Sequence, residues 1–216
     1  MSEQYFSREP SSGSRPAACA FSYRGRSLRF ETDAGVFSRG ELDTGSRLLL
    51  DSLPALSGEV LDLGCGWGAL GVAVASANPG AAVTMVDVNL RALALARRNA
   101  EVNRVSVRVL ESDGFAGLGT QRFDAVVTNP PIRAGKQVIY RLFADAAERL
   151  NPGGALFLVI RKQQGAESAM RYLTTLFPRT ERIARDAGFW VIRCEKTEED
   201  GKQADISRVV RFLKHN

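Results

Sequence analysis

The sequence predicts one α/β domain in which a seven-stranded, mostly parallel sheet carries helices on both faces. From residue 58 onward, short apolar runs alternate with segments of helical length. The runs, among them "GEVLDLG", "AVTMVDV" and "FDAVVTN", are apolar at nearly every position, as expected of strands covered on both sides. Gly, Asn and Pro punctuate the alternation, most visibly at Asn78-Pro79-Gly80 and Asn151-Pro152-Gly153-Gly154.

The elements follow in order. The first 18 residues, rich in Ser, Arg, Pro and Gly, hold little to bury and read as a surface arm. "FSYRGRSLRF" sets Phe21 and Tyr23 against Leu28 and Phe30 around Arg24-Gly25-Arg26, the pattern of a hairpin. "DTGSRLLLDSL" predicts a short helix capped by Asp43 or Thr44. Residues 1–50 are thus expected as an arm and hairpin extension packed on a core formed by residues 51–216. In that core "GALGVAVASAN", "LRALALARRNAEVN", "KQVIYRLFADAAERL" and "GAESAMRYLTTLF" are helices, and "VSVRVLES" and "GALFLVIR" are further strands. The Asn-Pro-Gly-Gly run is read as a stop after the third helix. "RTERIARD" and "FWVIRCEK" form a closing pair near the sheet edge, and the polar tract from Thr197 to Asp205 is expected as a loose loop.

A length of 216 residues with 44% hydrophobic and 25% charged content suits one well-buried domain. The longest apolar runs fall far below the roughly 20 residues that span a bilayer. The polar start has no signal-peptide character, so the expectation is a cytoplasmic protein without membrane attachment. Cys19, Cys65 and Cys194 have no short paired spacing and the single histidine is His215, so no metal site and no histidine-based triad is expected. The net charge of +5 and pI near 9.4 suit an anionic partner, and residues 161–216 hold 12 basic against 8 acidic side chains. A merely solvated basic face remains the alternative.

Chemistry enters at "LDLGCGWGA", where a strand runs into a helix through Gly64, Gly66 and Gly68. Such a turn leaves backbone N–H groups at a helix N-terminus, open to a ligand. Gly64, Gly66 and Ala69 also fit the looser dinucleotide fingerprint, with Asp87 at the distance where a ribose is held. Asp62 tips the balance, because a carboxylate before the loop repels a pyrophosphate but suits a cationic amino-acid end, directly or through water. S-adenosylmethionine has an ammonium, a sulfonium and no phosphate. By the same logic Asp87 should accept from the ribose hydroxyls and Asp113 from the adenine amine, with Gly114 giving close access; a turn-capping role for Asp113 is the alternative. Cys65 reads as a small residue in a crowded loop rather than a nucleophile.

The stretch "FDAVVTNPPIRAGK" ends a strand in two prolines, at the edge of the sheet where ligands of open α/β folds collect. Proline fixes φ and restrains the residue before it, so the Asn129 side chain and the Pro130 carbonyl are held in set directions. Both are acceptors. Accepting the two hydrogens of an exocyclic amine would pull its nitrogen toward a tetrahedral shape and aim the lone pair at a methyl donor. A proline-rich turn with no further role is the alternative.

These residues resemble a known family: class I S-adenosylmethionine-dependent methyltransferases with an Asn-Pro-Pro motif, specifically the small-subunit ribosomal RNA guanine-N2 group and its compact single-domain relatives. The resemblance covers about residues 5 to 196 through "DAGVFSRGELDTGSRLLL", "VLDLGCGWGALG", "FDAVVTNPPIRAGK" and "RKQQGA". It implies a Rossmann-like fold, S-adenosylmethionine as cofactor and ribosomal RNA as partner. It also implies that Thr44, Asp62, Gly64, Cys65, Gly66, Gly68, Asp87, Val88, Asp113, Gly114 and Asn129 hold the cofactor, with Thr44-Gly45-Ser46 over its methionine end. Asn129 and Pro130 would present the amine, while Pro131, Ile132, Arg133, Lys136 and Lys162 would meet the substrate, aided by Arg161 and the N-terminal arm. Ile132 stands where many relatives carry Phe or Tyr for stacking on an extruded base. The larger guanine-N2 enzymes resemble two fused copies of the domain, and this chain has one. Open alternatives are an adenine N6, protein glutamine or small-amine acceptor, or a non-catalytic RNA-binding assembly factor.

Overall fold

A computed structural model describes Arg8 and residues 12–197 of the chain. Strands β1 (Ala17–Tyr23) and β2 (Arg26–Thr32) form the expected hairpin, with all seven residues of each strand paired. Their two-residue turn places Arg24 at φ 45° and Gly25 at φ 77°, the left-handed pair that matches the twist of a tight hairpin. Phe21 stacks on Phe30 at 4.9 Å, and Phe30 meets Trp67 edge-on at 5.1 Å, which fixes the hairpin against the core.

Asn99 makes the second attachment. Fully buried, it accepts from Glu31 N–H (2.7 Å) and donates to the carbonyls of Glu31 (2.9 Å) and Trp67 (2.8 Å). Two parts of the N-terminal arm also lie on the core: Arg8 pairs with Glu111 at 2.6 Å, and Arg91 donates to the Ser12 carbonyl at 2.8 Å. Helix α1 (Thr44–Ser52) is capped by Asp43, whose carboxylate accepts from Ser46 N–H at 3.0 Å, and it crosses the boundary expected after residue 50.

The main sheet comprises β3 (Gly58–Leu63), β4 (Ala81–Asp87), β5 (Arg108–Glu111), β6 (Phe123–Thr128), β7 (Leu150–Arg161), β8 (Arg179–Asp186) and β9 (Phe189–Glu195), in the order β5-β4-β3-β6-β7-β9-β8. β3 through β7 run parallel; β9 is antiparallel to both β7 and β8. Crossover helices are α2 (Ala69–Ala77), α3 (Leu90–Val102), α4 (Lys136–Arg149) and α5 (Ala166–Leu176). Successive strand residues face opposite ways, so Val60, Met85 and Val127 join one core with α1–α3 and the hairpin, while Leu61, Val86 and Val126 join another with α4 and α5. The strand order reverses between β3 and β6, which opens a crevice at their C-terminal ends.

Two elements differ from the sequence reading. β5 covers only Arg108–Glu111: Val105 N–H donates back to the Ala100 carbonyl at 3.0 Å, closing the turn after α3, and the ladder with β4 begins at Arg108. β7 begins at Leu150, so Asn151-Pro152-Gly153-Gly154 interrupts a strand rather than preceding one. Phe123 pairs with Leu150 and Ala125 with Ala155, which makes the run a bulge opposite Asp124. Gly153 and Gly154 remain tied down by exchanging backbone hydrogen bonds with Lys196. The loop expected from Thr197 to Asp205 lies outside the described residues except for Thr197 itself. No described helix is long and apolar enough to cross a membrane.

Candidate active site

After Leu63 the chain leaves β3 and turns through Gly64-Cys65-Gly66-Trp67-Gly68 into α2. Gly64 (φ 73°) and Gly66 (φ 54°) occupy left-handed conformations, and open space surrounds the position a Cβ would take at either. The loop is fastened to the end of β4: Gly64 and Cys65 N–H both donate to the Val86 carbonyl at 2.9 Å, and Gly66 N–H donates to Asp87 Oδ2 at 2.8 Å. Asp87 Oδ1 accepts from Asn89 N–H at 2.9 Å. Burial raises the Asp87 carboxyl above its ordinary range, against the pull of these backbone hydrogen bonds.

Asp62 sits beneath this loop, only 2% exposed, and does not itself line the cavity, which leaves the water-mediated contact of the two that the sequence reading allowed. Its Oδ2 accepts from Gly71 N–H at 2.7 Å, while its Oδ1 is buried with no hydrogen-bond partner. Desolvation, partly offset by the Gly71 hydrogen bond and reinforced by the charge of Asp87, pushes its carboxyl up to about 7. An orphaned carboxylate oxygen is costly to keep, and the group it fits is a hydrogen-bond donor, above all a cationic one. Burial, reinforced by Asp87 and Asp62, also pushes the Cys65 thiol well above its usual value, so the sulfur stays protonated.

Across the crevice, Thr128 ends β6 and donates its hydroxyl to the Leu63 carbonyl at 2.7 Å, locking the tips of β3 and β6 together. Asn129 follows. Its amide nitrogen donates to Ser46 Oγ at 3.0 Å and to Asp43 Oδ1 at 3.3 Å. With the nitrogen committed to α1, the amide oxygen is the group Asn129 offers to the cavity it lines. Pro130 is buried, and its carbonyl accepts from Ile132 N–H at 2.8 Å around Pro131 (φ −74°, ψ 78°), an inverse γ-turn. One lone pair of that carbonyl is therefore used within the chain and one remains.

Together these segments enclose a cavity of about 400 Å³. Gly64, Cys65, Gly66, Asp87, Val88, Asp113, Gly114, Asn129 and Pro131 line it; Thr44, Asp62, Gly68, Pro130, Ile132, Arg133, Lys136 and Lys162 do not. Thr44 points to solvent, and its neighbours Asp43 and Ser46 face inward instead, because the capping geometry turns their side chains toward Asn129. Gly68 begins α2 and packs against Ala96, where a Cβ would come within 3.2 Å. Arg133 is exposed in the turn before α4, Lys136 extends over the Tyr140 ring at 5.0 Å, and Lys162 lies at a second groove near β9.

Beyond Ser46, which the sequence reading placed with Thr44 and Gly45 over the methionine end, three lining features were not proposed from the sequence. Val36, Phe37, Ser38 and Leu42 wall one side, and the Phe37 carbonyl accepts from Trp67 Nε1 at 2.9 Å. Asp43 and Ser46 orient Asn129. Arg141 pairs with Asp113 at 2.7 Å on the opposite rim. The quoted "DAGVFSRGELDTGSRLLL" carried a signal for the first two; Arg141 lies on the solvent side of an ordinary amphipathic pattern, with nothing to mark it.

The chain is 42% identical over 200 residues to a Bacillus subtilis (strain 168) protein described as uncharacterized protein YbxB, covering 91% of this chain and all of that one. It is 42% identical over 164 residues to ribosomal RNA small subunit methyltransferase C of Aeromonas hydrophila, covering 73% of this chain and 46% of that protein. Among solved structures, the T. thermophilus 16S rRNA N2 methyltransferase RsmC, in complex with AdoMet and guanosine, superimposes with a TM-score of 0.76 at 32% identity, covering 84% of this chain and 50% of the other. The chain thus spans about half the length of these two RNA methyltransferases. The family model for the methyltransferase small domain matches residues 27–193, the hairpin's second strand through β9, and the chain belongs to that family.

Proposed function

We propose that this protein is a cytoplasmic enzyme that transfers the methyl group of S-adenosylmethionine to an exocyclic amine, the N2 of a guanine in ribosomal RNA. S-adenosylmethionine would supply an electrophilic methyl carbon on a sulfonium, whose methyl C–S bond breaks with its electron pair going to sulfur, so that S-adenosylhomocysteine leaves as a neutral thioether. The observation that carries the reading is the orientation of Asn129, whose nitrogen is occupied by Asp43 and Ser46 and whose oxygen is left for the cavity.

The residues present fit the cofactor. Asp87 keeps an acceptor lone pair on each oxygen for a ribose diol. Asp113 and Gly114 lie on the rim where an adenine would rest. The partnerless Asp62 oxygen supports a cationic amino-acid end reached through water, whereas the same buried carboxylate disfavours a pyrophosphate.

For the acceptor, the Asn129 amide oxygen and the remaining lone pair of the Pro130 carbonyl take the two amine hydrogens. This draws the nitrogen lone pair out of conjugation and directs it at the methyl carbon, so orientation and fixed dipoles supply most of the rate enhancement. The proton then leaves the strongly acidic methylated nitrogen to water, without a dedicated base. Phe37, 41% exposed on the cavity wall, offers aromatic surface to a base where Ile132 does not. The guanosine bound to the T. thermophilus enzyme supports the choice of base.

The test is to incubate labelled S-adenosylmethionine with unmodified ribosomal RNA, free and in particles, and identify the methylated nucleoside. Label in N2-methylguanosine, lost in Asn129→Ala while cofactor affinity persists, is the expected result. Label only in protein would overturn the proposal.

A further inference from the structure

A second groove, of about 530 Å³, opens beside the active-site crevice and is lined by Lys162, Glu167, Arg182, Arg185, Phe189 and Trp190. Its place follows from the sheet register. Phe189 pairs with Arg161, at the C-terminal end of β7, and that end of β7 lies alongside the end of β6 from which Asn129 emerges. The Phe189 ring rests on α1, where a Cβ at Gly45 would stand 2.9 Å from its Cε1. The next residue, Ser46, holds Asn129. One residue of α1 therefore separates the groove from the proposed methyl acceptor site.

The chemistry of the groove is cationic and aromatic. The Arg182 guanidinium lies over the Trp190 ring at 4.4 Å, and that of Arg161 over Phe189 at 4.8 Å. A guanidinium stacked on a ring keeps its N–H edge free in the plane, rigidly presented, which is the geometry that grips phosphate oxygens in pairs. The groove is lined by Lys162, Arg182 and Arg185 with Glu167 and Asp186; Lys162 pairs with Glu167 at 3.7 Å, and among the described residues Arg161, Arg182 and Arg185 form no ion pair. An excess of positive charge beside aromatic rings is the composition of surfaces that track a nucleic-acid strand.

We propose that this groove takes the phosphodiester backbone of the RNA segment flanking the base being methylated. The proposal rests on the RNA reading above and locates a contact to the strand outside the cavity that holds the target base. Binding there would anchor the strand a short step from Asn129, with the target base free to turn into the cavity.

The experiment measures methyl transfer against RNA concentration and salt for the full chain, for the double variant Arg182→Gln/Arg185→Gln, and for Arg171→Gln, an exposed position on α5 outside the groove. The double variant should raise KM for RNA about 10-fold or more and flatten the slope of log affinity against log salt by ~2, with kcat and S-adenosylmethionine affinity unchanged. Arg171→Gln should change neither by as much. If the wild type methylates RNA and the double variant keeps its KM and salt slope, or if Arg171→Gln has the same effect, the groove is not the contact. Failure of the wild type to bind or methylate any ribosomal RNA would remove the functional reading and this one together. Displacement of RNA by an acidic peptide of matched charge would reassign the groove to a protein partner.

Discussion

Asp43 Oδ1 lies 3.0 Å from Ser46 N–H and 3.3 Å from Asn129 Nδ2, so one carboxylate both caps α1 and orients an amide 86 residues further along the chain. The two duties separate by substitution. Asp43→Ser retains a capping oxygen but is too short to hold Asn129, and should lower kcat by ~10- to 100-fold with cofactor affinity nearly unchanged. Asp43→Ala should add a loss of about 1 kcal/mol in stability. Single-turnover kinetics and urea unfolding measure the two effects independently; an unchanged kcat in Asp43→Ser would dissociate the contact from catalysis.

Asp62 makes stability depend on pH in a known direction. Its folded value of about 7 lies above the ordinary 3.8, so the folded chain holds this proton more tightly than the unfolded one. Stability should therefore fall as pH rises from about 4 to about 7 and level off above. Asp87 shifts in the same direction and adds to the slope. Asp62→Asn, which keeps an acceptor for Gly71 N–H, should flatten the slope and raise ligand-free stability at pH 8 by ~2–4 kcal/mol, while weakening S-adenosylmethionine binding about 10-fold or more. Urea unfolding at pH 5 and pH 8, with calorimetric titration of the cofactor, reads both.

Asn99→Leu removes three hydrogen bonds at once, stranding the buried Trp67 carbonyl and the half-buried Glu31 N–H and carbonyl. The expected cost is about 3 kcal/mol. Because Trp67 belongs to the glycine loop, cofactor affinity should fall as well, a double effect that denaturation and titration of the same sample would expose.

Gly71→Ala tests the packing under that loop. The added methyl carbon would stand 2.3 Å from Met85 Sδ and 2.9 Å from Asp62 Oδ2. Overpacking of about 1–3 kcal/mol should outweigh the better helix propensity of alanine, giving a net loss in thermal unfolding.

Much of the fold was legible because its strands are continuous apolar runs ended by residues that refuse a ladder: Gly64 after β3, and Asn129-Pro130-Pro131 after β6. Where the same residues occur inside a strand the reading fails. Asn151-Pro152-Gly153-Gly154 has the chemistry of a stop, yet pairing with β6 resumes beyond it, and only the partner strand decides that. The glycine loop and the acids after β4 and β5 were visible because strand ends deliver them to one edge. Asp62 was legible as an acid on the strand before the loop, but that its Oδ2 is taken by Gly71 N–H is a contact local sequence does not encode. Asp43, Phe37 and Arg141 act across long separations, through contacts that exist only once α1, the 33–43 segment and α4 have packed around the crevice.

The crevice draws its walls from segments between Val36 and Leu142, set by loops that follow four parallel strands. Parallel pairing closes only over long chain separations, so these walls come together late in folding and no single strand–helix unit can retain the ligand. Ligand binding and completion of the sheet are thus coupled by mass action: at ~100 times its dissociation constant a ligand would add ~2.7 kcal/mol to the assembled state alone. A newly made chain gains that support only after β6 and its two prolines have emerged and docked against β3.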